Sequence, residues 1–253
     1  MLRTCLAAAL ALSAGACSLA LGEGFTGGDE RAPGAGDDAG DGRSSGSSGS
    51  AGSSGSGSPL PANGRLLTFE DGALVHPGTG ADTVTGAVSL TAGAGALLGK
   101  YSLGVNGSRS FATVAFAPTA DMFLSFHVRT NRATNARFVR IPFDRPGAHI
   151  EVRVDGDRVV GAYDTGSQFA TFGNATLGVG GVTRIGVHYH AGTTLGEVEL
   201  FVASGSGPLD RAGGTGSSDL RATLSSVEIG ATDEVAGDGA FDDVRIDTES
   251  FGQ

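Results

Sequence analysis

Cysteine, tryptophan and lysine are nearly missing from this chain of 253 residues. Its two cysteines, Cys5 and Cys17, lie close to the amino terminus, tryptophan is absent, and Lys100 is the only lysine. With no pair of cysteines in the remainder of the chain, the fold must depend on its core for stability, and a cysteine-ligated metal site is excluded there. No later segment has the roughly 20 uncharged apolar residues that a membrane-spanning helix needs.

Helical periodicity and clustered positive charge are lacking as well. No stretch repeats apolar residues every 3.6 positions, so we expect very little helix. Acidic residues outnumber basic ones by 27 to 17, and no basic stripe with interleaved aromatic residues exists. Nucleic acid is therefore not expected as a partner. An acidic balance of this size mainly keeps a surface protein soluble.

Residues 1–16 have the organisation of a secretory signal peptide. Arg3 supplies a positive charge, residues 6–12 an apolar run, and residues 14–16 the small side chains that precede a cleavage site. Cys5 lies inside this segment, which leaves Cys17 as the only thiol of the mature chain.

The segment from Ala14 to Cys17 resembles the lipobox of bacterial lipoproteins. The resemblance implies that Cys17 is lipidated, becomes the first mature residue and anchors the protein in a membrane of the cell envelope. Each methylene of an acyl chain that is buried in a bilayer contributes about 0.8 kcal/mol to membrane binding, so two or three acyl chains hold a protein firmly in the membrane. Ala14 departs from the usual leucine, and ordinary cleavage after Ala16, which releases a soluble protein, is the alternative. Ser18 favours the outer membrane or cell surface over retention at the inner membrane.

Residues 17–64 have the composition of a disordered tether. Gly, Ser, Asp and Ala dominate, and aliphatic residues almost disappear after Leu21. Such a segment cannot bury enough apolar surface to offset its ordering entropy. A flexible coil of this length has a mean end-to-end distance of roughly 35–40 Å. We expect it to hold a folded domain, residues 65–253, clear of a membrane surface.

In residues 65–253, short runs of alternating apolar and polar residues are separated by Gly, Asn and Asp. This pattern predicts an all-β domain of roughly ten to thirteen strands in a two-sheet antiparallel sandwich. Asp155-Gly156 predicts a tight hairpin turn. The clearest runs are residues 111–116, 122–128, 138–141, 150–154, 183–189, 197–202, 224–229 and 241–246.

Three segments occur in an order that is typical of one group of folds. The domain opens with Phe69-Glu70-Asp71-Gly72, continues with residues 99–105 and closes with Phe241-Asp242-Asp243-Val244. This succession resembles the concanavalin A-like, laminin-G-like jelly-roll domains and the related carbohydrate-binding modules. The resemblance implies a jelly-roll sandwich with adjacent first and last strands. It also implies non-catalytic binding or adhesion, with a polysaccharide or a surface protein as partner.

In such domains, acids on the first and last strands often hold a structural calcium ion. The resemblance gives this role to Glu70, Asp71, Asp242 and Asp243. Calcium takes six to eight oxygen ligands, which carboxylates at a strand end and carbonyls in a loop can supply. The alternative is that Asp242 and Asp243 cap a strand beside a polar turn, and the sequence leaves both interpretations open.

His188 and His190, with Glu197 and Glu199 on the following run, form a second polar set. Strand alternation puts the two histidines on one face of a strand and the two glutamates on one face of the next. These residue types could bind zinc. Alternating polar residues are, however, ordinary on the outward face of a half-buried sheet, with the intervening aliphatic residues inward, and we prefer that interpretation.

Evidence for catalysis is weak. Glycoside hydrolases of concanavalin-like fold carry a Glu-x-Asp-x-Glu cluster, because retaining chemistry needs two carboxyls about 5–5.5 Å apart. Glu197-Val198-Glu199 lacks the third acid, and we expect no enzyme activity. The alternatives are a polysaccharide-cleaving enzyme that uses Glu197 and Glu199, or a structural envelope lipoprotein without a small ligand. Three tyrosines and no tryptophan leave few aromatic platforms for a sugar.

The intact mass of the mature protein tests the predicted anchor. We expect a chain that begins at Cys17 and carries the additional mass of its acyl chains, because the lipobox-like segment directs acylation of that thiol. A purified chain that stays wholly in the aqueous phase with an unmodified thiol would contradict the prediction.

Overall fold

The structure, a computed structural model, describes residues 64–131 and 135–252. The predicted signal peptide, Cys17 and residues 17–63 of the predicted tether lie outside the described residues. Within the described ranges the secondary structure consists of fifteen strands and one 3-10 turn at Gly93–Gly95. None of these residues belongs to a helix long and apolar enough to traverse a bilayer.

The strands are arranged in two antiparallel sheets. In chain order they are β1 (Arg65–Leu67), β2 (Thr83–Thr85), β3 (Val88–Ala92), β4 (Tyr101–Gly107), β5 (Ser110–Thr119), β6 (Asp121–Thr130), β7 (Arg137–Pro142), β8 (His149–Asp155), β9 (Arg158–Asp164), β10 (Phe169–Thr176), β11 (Thr183–His190), β12 (Gly196–Ser204), β13 (Asp210–Ser217), β14 (Leu224–Ala231) and β15 (Gly237–Asp247). Sheet A has the order β13-β12-β11-β6-β15-β4-β3, and β1 also pairs with β15. Sheet B has the order β10-β9-β8-β7-β14-β5-β2.

The hydrophobic core lies between the two sheets and follows from strand alternation. In β6, every second residue from Met122 to Val128 is fully buried, because side chains at positions i and i+2 face the same side. Phe126 and Phe138 both pack on Phe241, with ring centroids 6.2 and 5.3 Å apart. These rings come from β6, β7 and β15, so they join the two sheets.

The predicted all-β sandwich is confirmed, and so is the pairing of the first and last strands, β1 with β15. The predicted hairpin joins β8 to β9, with Gly156 (φ 64°) and Asp157 as its two loop residues. The strand number differs from the expected ten to thirteen. β1 and β2 have only three residues each, and β13 is rich in glycine, so none of these three strands shows a clear apolar alternation.

Glycine allows β10 of sheet B and β13 of sheet A to approach each other. A Cβ placed on Gly213 would lie 2.6 Å from Gly173 Cα and would also overlap the Phe172 carbonyl oxygen. The two backbones therefore touch at this edge of the sandwich, which closes the core beside Leu200 and Phe172.

Replacing Gly213 with alanine should destabilise the domain by about 1–3 kcal/mol, because the new methyl group must push two backbones apart. Urea unfolding measures the loss. Gly178→Ala is the matched control, since nothing lies within 4 Å of a Cβ at that position. Equal stability of the two variants would refute the close contact.

Candidate functional site

Glu70, which follows β1, binds the loop that precedes β4. Its carboxylate accepts hydrogen bonds from the backbone amides of Lys100, at 2.9 and 3.0 Å, and Tyr101, at 3.3 Å. Gly99 has a φ of 65°, and a Cβ there would overlap the Glu70 carboxylate. Phe69 also adopts a left-handed φ, 57°, which is uncommon for an aromatic residue. Its ring is fully buried, and that anchor holds Glu70 over the loop.

Asp242 holds the same loop from the other side. The side chain is buried, with 2% of the residue exposed. Its Oδ2 accepts hydrogen bonds from Ser102 Oγ at 2.8 Å and from the Leu98 amide at 3.0 Å, and Oδ1 accepts one from the Asp243 amide at 2.8 Å. Burial outweighs these bonds and raises the pKa of Asp242 to about 6.

The remaining two predicted calcium ligands have other neighbours. Asp71 accepts a hydrogen bond from Thr79 Oγ1 at 2.6 Å. Asp243 has a φ of 47° at the irregularity in β15, and its Oδ2 lies 3.7 Å from Nδ1 of His127. Across residues 64–131 and 135–252, no three His, Cys, Asp or Glu side chains are grouped so as to hold a metal ion. Backbone amides occupy the oxygens of Glu70 and Asp242, and calcium at the four acids stays a prediction.

A second group of charged side chains lies on the outer face of sheet A. His188 Nδ1 is 3.1 Å from Glu199 Oε2, and its Nε2 is 3.0 Å from Asp121 Oδ1. A carboxylate accepts hydrogen bonds, so a ring nitrogen that carries a hydrogen can donate one at either contact. The imidazole also stacks on Phe123, with centroids 4.2 Å apart and planes 8° from parallel. His188 is therefore held firmly from three sides.

His190 and Arg211 complete this group. His190 Nδ1 lies 3.0 Å from Asp121 Oδ2, and half of the His190 side chain is exposed. Arg211 Nε donates to Glu199 Oε1 at 2.7 Å. We name Asp121, His188, His190, Glu199 and Arg211 the acid–histidine cluster. Its exposed histidine and arginine can donate hydrogen bonds to a ligand, and its carboxylates can accept them.

The Glu199 carboxyl is ionised at neutral pH. Its partial burial opposes ionisation, but the hydrogen bonds from His188 and Arg211 outweigh burial and lower the pKa below the ordinary glutamate value. A group in this state accepts hydrogen bonds well. It is poorly suited to donate the proton that glycoside hydrolysis requires.

The predicted alternation in β11 and β12 is confirmed. His188 lies opposite Glu199, His190 lies opposite the exposed Glu197, and Val198 between the glutamates is fully buried. The preferred interpretation, an outward polar face, therefore describes these strands.

Sequence reasoning missed Asp121, Phe123 and Arg211 as members of this face. Asp121 and His190 are partners in the β6–β11 ladder although 69 residues separate them. The period-two pattern of β6 indicates that Asp121 and Phe123 share its outward side. It does not indicate which strand lies beside β6.

A depression of about 590 Å³ adjoins the acid–histidine cluster. Ala120 and Ala191, the chain neighbours of Asp121 and His190, line it together with the loops before β8, β12 and β14. The Arg145 guanidinium donates to the Asp219 carbonyl at 2.8 Å, which ties two of these loops together. The acid–histidine cluster therefore lies on two paired strands, one residue away from the lining of this open depression.

No protein-family model matches this sequence, and no curated protein does either. Among solved structures, the chain is similar to domain 4 of AbnA, a GH43 extracellular arabinanase from Geobacillus stearothermophilus, determined in complex with arabinotriose. The TM-score is 0.54 at 16% sequence identity, covering 73% of this chain and 92% of that domain. The fold is a jelly-roll sandwich. The likeness concerns fold alone, because function resides in sites that unrelated members of a fold do not share.

Two further structures are similar at lower scores. The binding domain of botulinum neurotoxin DC, in complex with SialylT, has a TM-score of 0.47 at 11% identity and covers 66% of this chain and 42% of that one. Domains LG4-5 of the mouse laminin alpha1 chain have a TM-score of 0.40 at 15% identity and cover 56% and 40%.

Asp242 should make stability depend on pH. Its pKa is raised from 3.8 to about 6, so its contribution is fully present below about pH 4 and is lost as the pH rises through 6. In calcium-free buffer, the free energy of unfolding of the wild type should fall by roughly 2 kcal/mol more between pH 4 and pH 7 than that of Asp242→Asn. Urea unfolding at both pH values measures the difference, with Asp157→Asn, an exposed loop residue, as control. Parallel pH profiles for wild type and Asp242→Asn would contradict the assignment.

Proposed function

We propose that this protein is a non-catalytic binding or adhesion lipoprotein, tethered to the cell envelope, whose sandwich domain binds carbohydrate. The acid–histidine cluster beside an open hollow carries the proposal. A few convergent polar groups on a rigid scaffold are the usual form of a small-ligand site. Carboxylates, an imidazole and a guanidinium together offer the acceptors and donors that sugar hydroxyls require.

The jelly-roll likeness supports a saccharide ligand. Domain 4 of AbnA has this fold and was determined in complex with arabinotriose. This support is an analogy between folds, whereas the cluster is a property of this chain.

The chemistry of the cluster favours binding over cleavage. A retaining glycosidase needs one carboxyl that gives up a proton at working pH, and the bonds from His188 and Arg211 keep Glu199 ionised. Glu197 lies on the same face without a third acid on its strand. The polysaccharide-cleaving alternative therefore has less support than binding.

The predicted lipid at Cys17 and the tether at residues 17–64 complete the proposal. An acylated amino terminus places the protein at the outer membrane or cell surface, and a flexible coil lets the domain reach polymers beyond that surface. A domain without any small ligand, acting as a structural envelope component, is the alternative that a binding screen separates from this one.

The full chain should bind at least one polysaccharide in a glycan screen. His190→Ala and Asp121→Asn should each weaken that binding roughly tenfold, the change expected from losing about 1.4 kcal/mol of hydrogen bonding. Isothermal titration gives the affinities. Glu234→Gln is the control, because Glu234 is exposed and precedes β15 at the opposite end of the sheet. If no glycan binds, the proposed carbohydrate binding is rejected, and a structural envelope lipoprotein without a small ligand remains as the alternative.

We further propose a structural calcium ion at Glu70, Asp71, Asp242 and Asp243. Removal of calcium with EDTA should lower the melting temperature by several degrees, since a ligand that binds only the folded state stabilises it. Added calcium should restore the value in wild type but not in Glu70→Gln. A melting curve that is the same with EDTA and with calcium would reject the ion.

A further inference from the structure

The outward side of β11 runs from Arg184 to the acid–histidine cluster at His190. Ala191, directly after β11, lines the depression beside the acid–histidine cluster. Arg184, near the beginning of β11, lines a second depression of about 790 Å³ together with residues 206–209 and 250–252. The six residue steps from Arg184 to His190 span roughly 20 Å at about 3.3 Å per residue. We name this outward side of β11, from Arg184 to His190, the strip.

The carboxyl-terminal segment 248–252 lies across the middle of this strip. The Phe251 ring packs over Gly186, where a Cβ would come within 2.9 Å of it. Arg184 donates hydrogen bonds to the carbonyl oxygens of Phe251 and Gly252 at 3.3 and 3.2 Å. Ser125 Oγ donates to the Phe251 carbonyl at 3.4 Å. Hydrogen bonds to its backbone carbonyls thus hold the segment in place, and the partly exposed Phe251 ring contributes to the surface of the strip.

Phe251 belongs to a row of rings that ends at the acid–histidine cluster. Its ring meets Phe201 and Phe123 edge-on, with centroids 4.8 and 5.2 Å apart, and Phe123 in turn stacks on His188. All three phenylalanines are partly exposed. Apolar rings beside convergent polar groups are the combination that fits a sugar, whose ring faces are apolar and whose edges carry hydroxyls.

The charges of the strip select against an anionic ligand. Arg211 is paired with Glu199, Arg245 with Asp247 at 2.8 Å, and Arg184 with backbone carbonyls. Asp121 has 41% of its side chain exposed, and Glu197 is exposed too. An acidic sugar would meet these carboxylates with its own, and like charges brought together across an interface oppose binding.

We infer that the strip along β11 binds an extended, neutral polysaccharide chain, and that Phe251 is a specificity-determining residue forming one wall of the site. This inference rests on the proposed carbohydrate-binding function and names its ligand class. The polysaccharide lies on the strip beside Phe251, with its hydroxyls at the acid–histidine cluster and a sugar face against the rings.

Titration of the full chain with matched neutral and acidic polymers tests the inference. The neutral probes are arabinan, xylan and galactan oligosaccharides, and the acidic probes are oligogalacturonate and a sulfated glycan. Phe251→Leu keeps an apolar side chain over Gly186 but removes the flat ring, and Phe251→Ala removes both. Phe169→Leu is the control, because Phe169 is exposed on sheet B. Melting curves show that each variant is folded.

We expect a neutral polymer to bind, the acidic ones to bind more weakly, and Phe251→Leu to raise the dissociation constant roughly tenfold without a change for Phe169→Leu. Unchanged or tighter binding by folded Phe251→Leu would overturn the inference, and so would a preference for acidic polymers. Both results would leave the proposed carbohydrate binding intact. If no glycan binds, the proposed function itself fails.

Discussion

The register of β6 against β11, at the centre of sheet A, is the constraint on which both faces of the domain depend. It places Met122 opposite Tyr189 on the inner side, where both are fully buried. It also places Asp121 opposite His190 and Phe123 opposite His188 on the outer side. A slip of one residue would exchange core and surface in the slipped strand. The burial of the core therefore fixes the alignment of the candidate site.

The acidic segments that resemble jelly-roll motifs have a structural task of their own. Glu70 and Asp242 come from opposite ends of the domain, yet both accept hydrogen bonds from backbone amides of the loop before β4. Unpaired amides in a tight loop are costly when water is excluded, and carboxylates are strong acceptors for them. Left-handed backbone at Phe69 and Asp243 turns the chain at both acids. These hydrogen bonds to the loop before β4 give Glu70 and Asp242 a structural role that does not require an ion. A bound calcium ion would stabilise the same loop further.

The proposed binding strip is built from strands that are well supported from behind. Val187 and Val198 are fully buried beneath it, and the glycine contact between β10 and β13 closes the nearby edge. A site on such strands loses little conformational entropy when a ligand binds, because its side chains are already held by one another. His188, between two carboxylates and a ring, is the plainest case.

The sequence by itself determined the all-β sandwich and the outward positions of His188 and Glu199. Its short motifs also singled out Glu70 and Asp242 among the acidic residues. These features follow from period-two alternation and short motifs, which depend only on neighbouring residues. The glycine-rich β13 lacked that signal, since small residues replaced apolar ones where two backbones meet.

Tertiary structure alone decided that Asp121 and Arg211 join the histidines and that Phe251 covers Gly186. Each of these contacts joins strands or segments distant in sequence. Alternation states which side a residue faces. Pairing between strands, which minimises the exposed apolar surface of the whole domain, determines what lies beside it.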